Sequence, residues 1–402
     1  MLDAARIRAL AQEHGTPLYL LDIDQVLERA ARLAAFDTLR YAQKAHPGLA
    51  LLRALASRGY AVDATSGFEI ERALAAGFSP DRIELATDVL DRRTLEVAAT
   101  HGVRANLGSA DLIEPYAASS APRSCTLRLN PGFGSGHNKR VTTGGPHSKH
   151  GIWHEQLPEA LARAERAGLE VTGLHLHIGS GVALEGLAQT IQAMDAALAH
   201  APATLERVSA GGGLAVPYDG GPEFPVDEYA SAWLAARERW QVRLGRALHL
   251  EVEPGRYLVA PAGLLVAEVR ACKQTPDWHW VLVDAGFQTL ARPLLYGAYH
   301  RMELLDAPDR PLRPTVVAGP LCESGDVLTQ SAEGEPRPVQ LAHARPGDLL
   351  LIHDAGAYGI SMASNYNGFP LPPEVVVEGG EPRLARRRQA FADLLALEQD
   401  LS

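Results

Sequence analysis

Between about residues 40 and 255, short β-rich runs alternate with helical stretches. That alternation constrains the chain more than any other feature, because strands separated by crossover helices pair in parallel. The runs are RYAQK (40–44), YAVDAT (60–65), RIELAT (82–87), VRANL (103–107), CTLRLN (125–130), VTGLHLHI (171–178), RVSAG (207–211) and HLEVE (249–253). Eight such units in about 215 residues suit a closed (β/α)8 barrel better than an open doubly wound sheet. The helices between them are well marked. Ser66 and Glu69 have the spacing of a reciprocal capping box ahead of Ile70, Ala73 and Leu74, and Gly77 supplies the stop. Leu184, Leu187, Ile191, Met194 and Leu198 recur at three and four residues and predict one buried stripe.

After Gly255 the pattern changes to strands without intervening helices: LLVAEVRAC, HWVLVDAG, PTVVAGP, DLLLIHDAG and PEVVVEGGEPRLARR, the last with a Gly-Gly hairpin turn. A terminal helix with Phe391, Leu394 and Leu395 on its apolar side should follow. The fold expected is therefore α/β plus β, a barrel over 25–265 and a C-terminal β-domain over 266–402. Residues 1–24 fall outside the barrel count and are free to pack on the β-domain; Ile7, Leu10 and Ala11 mark one face of a short helix that stops near Gly15.

Composition narrows the function. A chain of 402 residues, 46% hydrophobic, is too long for one small core and too apolar to be disordered. Its 38 Lys plus Arg against 48 Asp plus Glu give a net charge of −10 with no sustained basic run, so neither nucleic acid nor an anionic membrane is an expected partner. A small molecule is. The longest nearly apolar stretch, Tyr257 to Val269, contains Pro261 and falls short of the roughly 20 residues of a membrane span. The first residues lack an apolar secretory core, which predicts a cytoplasmic protein. Three widely spaced cysteines, Cys125, Cys272 and Cys322, suggest neither disulfides nor a zinc site.

The unusual residues fall at the C-terminal ends of the predicted strands, the face on which barrels carry their sites. Lys44 ends strand one, His177 and Ser180 end strand six, Gly211-Gly212-Gly213 follows strand seven, and Glu253-Pro-Gly255-Arg256 closes strand eight. A lone lysine is usually solvated and a lone glycine run is usually a turn. Together they suggest an amine for a Schiff base and backbone N–H groups for a phosphate, which points to pyridoxal phosphate. Glu253 would keep a pyridine nitrogen protonated, although an ion pair with Arg256 is the plain structural alternative. His175 and His177 project to the same side and could ligate a metal, but no third ligand stands near them and no metal is expected. Cys125 and Cys272 read as inert packing. Cys322, in GPLCESGD (319–326), lies in a turn exposed enough for proton transfer, and DAGAYGISMASNYN (354–367) reads as a functional loop.

YAQKAHP, TTGGPHSKHGIW, HLHIGSG, SAGGGLAVPY, EPGRYLVA, DAGFQTLARPLLYGAYH, AGPLCESGD and GAYGISMASNYN together resemble the diaminopimelate decarboxylases, most closely the proteobacterial form, in order over nearly the whole chain. The resemblance implies an alanine-racemase-like barrel with a C-terminal β-domain, pyridoxal 5′-phosphate, and a homodimer with shared active sites. It implies that Lys44 carries the cofactor, that His177 stacks on its ring, and that Glu253 meets its pyridine nitrogen. Ser180, Gly211, Gly212, Gly213, Gly255, Arg256 and Tyr358 would serve the phosphate region. Arg256, Arg292 and Tyr296 match positions that hold the distal carboxylate of the substrate, with Tyr358 close by. Cys322, the proton donor, and Glu323, which meets the distal ammonium, would come from the second chain. Residues 143–152, TGGPHSKHGI, match an active-site lid.

The implied reaction is decarboxylation of meso-diaminopimelate at its D-configured centre to L-lysine and CO2, the last step of lysine biosynthesis. The chain departs from the family pattern at Asn367-Gly368-Phe369-Pro370, where many members carry an arginine, and at His46, where asparagine commonly follows Lys-Ala. The alternatives are a sister decarboxylase of another D- or L-amino acid, a related racemase, disfavoured by Glu253 where racemases of this fold have arginine, and a non-catalytic pyridoxal phosphate carrier.

Overall fold

The computed structural model describes residues 2–135, 143–181, 184–307 and 309–399. Eight parallel strands form a closed ring: β1 Thr38–Ala42, β2 Ala61–Ala64, β3 Ile83–Thr87, β4 Arg104–Leu107, β5 Ser124–Asn130, β6 Glu170–Leu176, β7 Arg207–Ser209 and β8 His249–Val252. Each pairs with the next, and β8 closes on β1 through Glu251 opposite Thr38 and Val252 opposite Leu39. A two-residue strand, Ile152–Trp153, adds to the end of β5.

Crossover helices behave as their sequences dictate. The helix Gly67–Ala76 is capped by the Ser66 hydroxyl, which accepts from Glu69 N–H, and ends at Gly77 in the left-handed conformation. Only half of the expected capping box forms, since the Glu69 carboxylate accepts from Thr65 N–H and Oγ1. In the helix Leu187–Ala197 the buried face is Leu187, Thr190, Met194 and Ala197, continued by Leu198, whereas Leu184 and Ile191 are half-buried.

The barrel interior carries a layer of charge. Arg40 of β1 lies 3.2 Å from Glu251 of β8, 3.3 Å from Glu84 of β3 and 3.6 Å from Asp63 of β2. Glu84 also meets Arg104 at 3.3 Å and accepts from Thr126 Oγ1 at 2.7 Å. Burial alone would raise the Glu84 pKa, but Arg40, Arg104 and Arg207 outweigh it and bring the carboxyl down to about 2.

The chain divides into two compact units, 27–216 with 222–257, and 1–26 with 217–221 and 258–402. Residues 258–265 therefore belong with the second unit and not with the barrel, because Gly263–Gln274 is one long strand of its sheet. That sheet has nine strands and takes in Leu18–Asp22, which runs antiparallel to Gly263–Val266 and parallel to Glu374–Val377. All five residues Leu18–Asp22 are buried, and the preceding helix Ala4–His14 buries Ile7, Leu10 and Ala11.

The hairpin Glu374–Glu378 to Glu381–Arg386 turns through Gly379 and Gly380, both at positive φ, as an I′-type turn requires. Short helices, Arg256–Val259 and Arg292–Tyr296, lie among the strands after Gly255, where the sequence pattern predicted no intervening helix. The terminal helix is five residues, Phe391–Leu395, and its Phe391 and Leu395 are exposed rather than packed. No helix among the described residues is long and apolar enough to cross a membrane.

Candidate active site

Strand β1 stops at Ala42, so Lys44 sits one turn beyond it, in the 3-10 turn Gln43–Ala45. His46 N–H closes that turn on Gln43 O at 3.0 Å, and His46 Nδ1 accepts from Gly48 N–H at 3.3 Å. The imidazole thus braces the loop at the position where the chain departs from the usual asparagine. Lys44 itself is exposed. Next to it, Ala42 N–H donates to Pro254 O, and a Cβ on Gly255 would come 3.2 Å from Ala42 and from the Ala45 Cβ. Glycine in the EPGR turn therefore lets the end of β8 pack on the lysine loop.

Two residues past Glu251, Glu253 is buried and doubly held: His175 Nε2 lies 2.9 Å from Oε2, and Ser209 Oγ donates to Oε1 at 2.6 Å. Burial by itself would raise the Glu253 pKa; the charge and hydrogen bond of His175 and the hydroxyl of Ser209 overcome it and hold the carboxyl well below its usual range. The rings of His175 and His177 stack at 6.5 Å. His177 is held well below the ordinary histidine pKa by burial first, then by Arg128 and Lys44, so it is neutral at pH 7. Its Nδ1 accepts from Gly212 N–H at 3.2 Å.

The glycine run is required sterically. A Cβ on Gly211 would come 2.1 Å from Leu176 O, and one on Gly212 would come 2.1 Å from Glu253 O. Gly211 is also at φ +64° and Gly213 at φ +98°, which favour glycine. Of the three N–H groups expected at a phosphate, two are already donated within the site, Gly211 to Ser209 Oγ and Gly212 to His177. Arg256 Nε donates to Ser180 Oγ at 3.1 Å, which joins the loops after β6 and β8.

The segment 143–152, expected to be a lid, is anchored to the barrel rim. Thr143 Oγ1 donates to His177 O, Asn130 exchanges hydrogen bonds with the Gly145 backbone, and Asp88 pairs with His150 and accepts from Gly151 N–H.

The remaining predicted residues belong to the second unit. Arg292 is 1% exposed; its Nη1 lies 2.9 Å from His300 Nε2, and its guanidinium lies 4.5 Å over the Tyr218 ring. Tyr296 is half-buried in the same short helix. Tyr358 is half-buried at φ +56°, in a loop where Gly356 is forced by Val259 O and Gly359 by Tyr19 Oη. Cys322 and Glu323 are exposed at the tip of a turn. The base of that turn is fixed by the buried Asp326, which accepts from Leu321 and Phe287 N–H. Its tip is held by the departing segment: Asn367 Oδ1 accepts from Cys322 N–H at 3.0 Å, and Tyr366 Oη donates to Glu323 Oε2 at 3.3 Å.

Sequence reasoning missed Ser209, Arg128, Asp63, Asp88 and the Arg40 layer. The available signal was a polar residue at every second position of strands otherwise apolar, as in Glu251 with Glu253 and Arg207 with Ser209, which marks one face of each strand as lining a polar interior.

Residues 21–260 match the family described as pyridoxal-dependent decarboxylase, pyridoxal binding domain. The chain is 48% identical to diaminopimelate decarboxylase of Streptomyces coelicolor, over 99% of this chain and 92% of that one. It is 45% identical to that of Escherichia coli K12, over 99% and 97%. A crystal structure of diaminopimelate decarboxylase superimposes with a TM-score of 0.94 at 44% identity, covering 98% of this chain and 96% of that one. The Helicobacter pylori enzyme complexed with L-lysine gives 0.86 at 30% identity, covering 98% and 99%. The pyridoxal binding domain matched over 21–260, with relatives 45–48% identical over nearly the full length, makes this chain a member of the pyridoxal-dependent decarboxylases and, within them, of the diaminopimelate decarboxylase family.

Proposed function

We propose that the residues gathered here decarboxylate meso-diaminopimelate to L-lysine and CO2 with pyridoxal phosphate as cofactor. The observation that carries the reading is Glu253, a buried anion fixed by His175 and Ser209 beside the loop that presents Lys44. The residues fit the cofactor: Lys44 holds its aldehyde, Glu253 its pyridinium, and His177 its ring face. Ser180, Gly213, Arg256 and Tyr358 hold its phosphate, with Gly211, Gly212 and Gly255 admitting the close packing. When bound, pyridoxal phosphate supplies an electron sink for the pair released as CO2 leaves.

The protein does the rest. Arg256, Arg292 and Tyr296 grip the distal carboxylate, and Glu323 grips the distal ammonium, so the D-configured centre is the one presented. Cys322 Sγ delivers a proton to the carbon that lost its carboxylate. His177, neutral, packs without adding charge.

Cys322 and Glu323 act from the second chain of a homodimer, and the enzyme works in the cytoplasm. Their exposed tip, ordered by Tyr366 and Asn367, supports a role against another chain. Mixing Lys44→Ala and Cys322→Ala chains tests this. Random reassembly makes about half the dimers mixed, each with one intact site of two, so roughly a quarter of wild-type activity should return. No recovery after verified subunit exchange would place Cys322 in the site of its own chain or outside it.

A further inference from the structure

The barrel has a second mouth. At the N-terminal ends of the strands, away from Lys44 and Glu253, a cavity of about 310 Å³ opens among Thr38, Arg82, Arg104, Glu206, Arg207 and His249. That volume falls at the lower end of the range of small-molecule sites. Four steps of extended strand, roughly 13 Å, separate Thr38 at this mouth from Ala42 at the other. Barrels of this kind place their chemistry at the C-terminal face, so a ligand held here takes no part in the reaction.

Most charges around this cavity are already matched. Arg40 meets Glu251 at 3.2 Å and Glu84 at 3.3 Å, Arg104 Nε meets Glu84 at 3.3 Å, and at the rim Arg82 lies 4.0 Å from the Asp81 carboxylate. His249 Nε2 pairs with Thr38 Oγ1 at 2.7 Å. Two sequence neighbours are left over. Arg207 donates through Nη2 to the hydroxyls of Thr172 at 2.8 Å and Thr126 at 3.5 Å. Among the described residues it comes no nearer than 4.0 Å to a carboxylate, that of Glu251, which Arg40 already holds. The Arg207 side chain is only 13% exposed, so its charge is held largely out of water. Burial, followed by the Arg104 and Arg40 charges, pulls its pKa down, and Glu84 and Glu251 do not make up the difference. Its Nη1 and both Nη groups of Arg104 donate to nothing among the described residues, and none of the three is shut off from solvent. Glu206 is exposed, and its carboxylate has no ion pair or hydrogen bond among the described residues. A bare anion would satisfy Arg207 and confront Glu206, and a bare cation would do the reverse. A molecule carrying both charges satisfies both. We infer that the N-terminal mouth of the barrel binds a free α-amino acid, its carboxylate on the guanidinium groups of Arg207 and Arg104 and its ammonium on Glu206.

The test is equilibrium dialysis of L-lysine against the protein loaded with pyridoxal phosphate, in wild type, Arg207→Gln and Glu206→Gln. Wild type should bind one equivalent per chain whose affinity falls about 10- to 100-fold in Arg207→Gln, the worth of a charge-assisted hydrogen bond. The kcat and the cofactor absorption of that variant should match wild type, which sets this equivalent apart from any held at the other mouth. Glu206→Gln should weaken the same equivalent roughly 2- to 5-fold, as loss of an exposed ion pair does, and should not weaken acetate, which has no ammonium. Because Glu206 is exposed and bonded to nothing through its side chain, this variant carries the test if Arg207→Gln does not fold. Equal binding of L-lysine by wild type and Arg207→Gln would overturn the inference, since L-lysine would then bind elsewhere or not at all. Displacement of L-lysine by acetate or inorganic phosphate at equal concentration, with no response to Glu206→Gln, would overturn it too and leave a simple anion site.

Discussion

His175 Nε2 lies 2.9 Å from Glu253 Oε2, and this bond with that from Ser209 fixes a carboxylate in a place where burial alone would neutralise it. The pairing explains why His-x-His recurs on β6 without serving a metal: one ring orients the acid and the other receives Gly212 N–H. Glu253→Gln keeps the shape and removes the charge. Covalent attachment at Lys44, mapped after borohydride reduction, should persist, while kcat falls on the order of 10²-fold or more, the scale for losing a preorganised electrostatic partner. An unchanged kcat would remove Glu253 from the chemistry.

Asn367 sits at φ +53° with its side chain on Cys322 N–H, so Asn367→Gly removes the acceptor without straining the backbone. A lost hydrogen bond of about 0.5–1.5 kcal/mol at the proton donor should lower kcat roughly 2- to 10-fold. Asn367→Asp, which retains an acceptor, should restore it. Cofactor affinity, measured alongside, should be the same in all three proteins.

The barrel was legible because apolar strand runs alternate with helical stretches, and local signals such as Ser66 and Gly77 mark the two ends of a crossover helix. The lysine, the glycine run and the EPGR turn were legible for a related reason, as residues out of character at strand ends. What sequence did not reveal depends on contacts across the ring. Arg40 reaches Glu84 and Glu251 on strands more than 40 and 200 residues away, and local pattern holds no record of such pairing. The N-terminal strand was hidden because LYLLD is buried on both faces and shows no alternation. The terminal helix was over-read, since three apolar residues at helical spacing say nothing about what covers them.

His177 gives a pH dependence whose sign follows from its depressed pKa. As pH falls through about 6.5, the unfolded chain binds a proton at this histidine and the folded chain does not, so stability falls. Between pH 7 and 5, denaturant unfolding of the cofactor-free protein should show a steeper loss in wild type than in His177→Gln, by up to about 1.4 kcal/mol per pH unit. Parallel pH profiles would mean that His177 takes up its proton as readily in the fold as in the unfolded chain.

Arg292 is both buried and paired with His300, so Arg292→Ala should cost stability as well as catalysis. Its role in reading substrate is separable. The variant should lose about 2–5 kcal/mol in kcat/KM for meso-diaminopimelate, the range for deserting a buried charged partner. It should lose little for D-lysine, which has no distal carboxylate. Equal losses on both would restrict Arg292 to the fold.

The central claim is tested most directly by measuring CO2 and L-lysine together from the purified protein with pyridoxal phosphate, across meso-diaminopimelate, D-lysine, D-ornithine and L-ornithine. The two products should appear in equal amounts from meso-diaminopimelate, with kcat/KM far above that for the other three, and Lys44→Ala should form neither. Preferred turnover of another amino acid, or undiminished turnover by Lys44→Ala, would contradict the account.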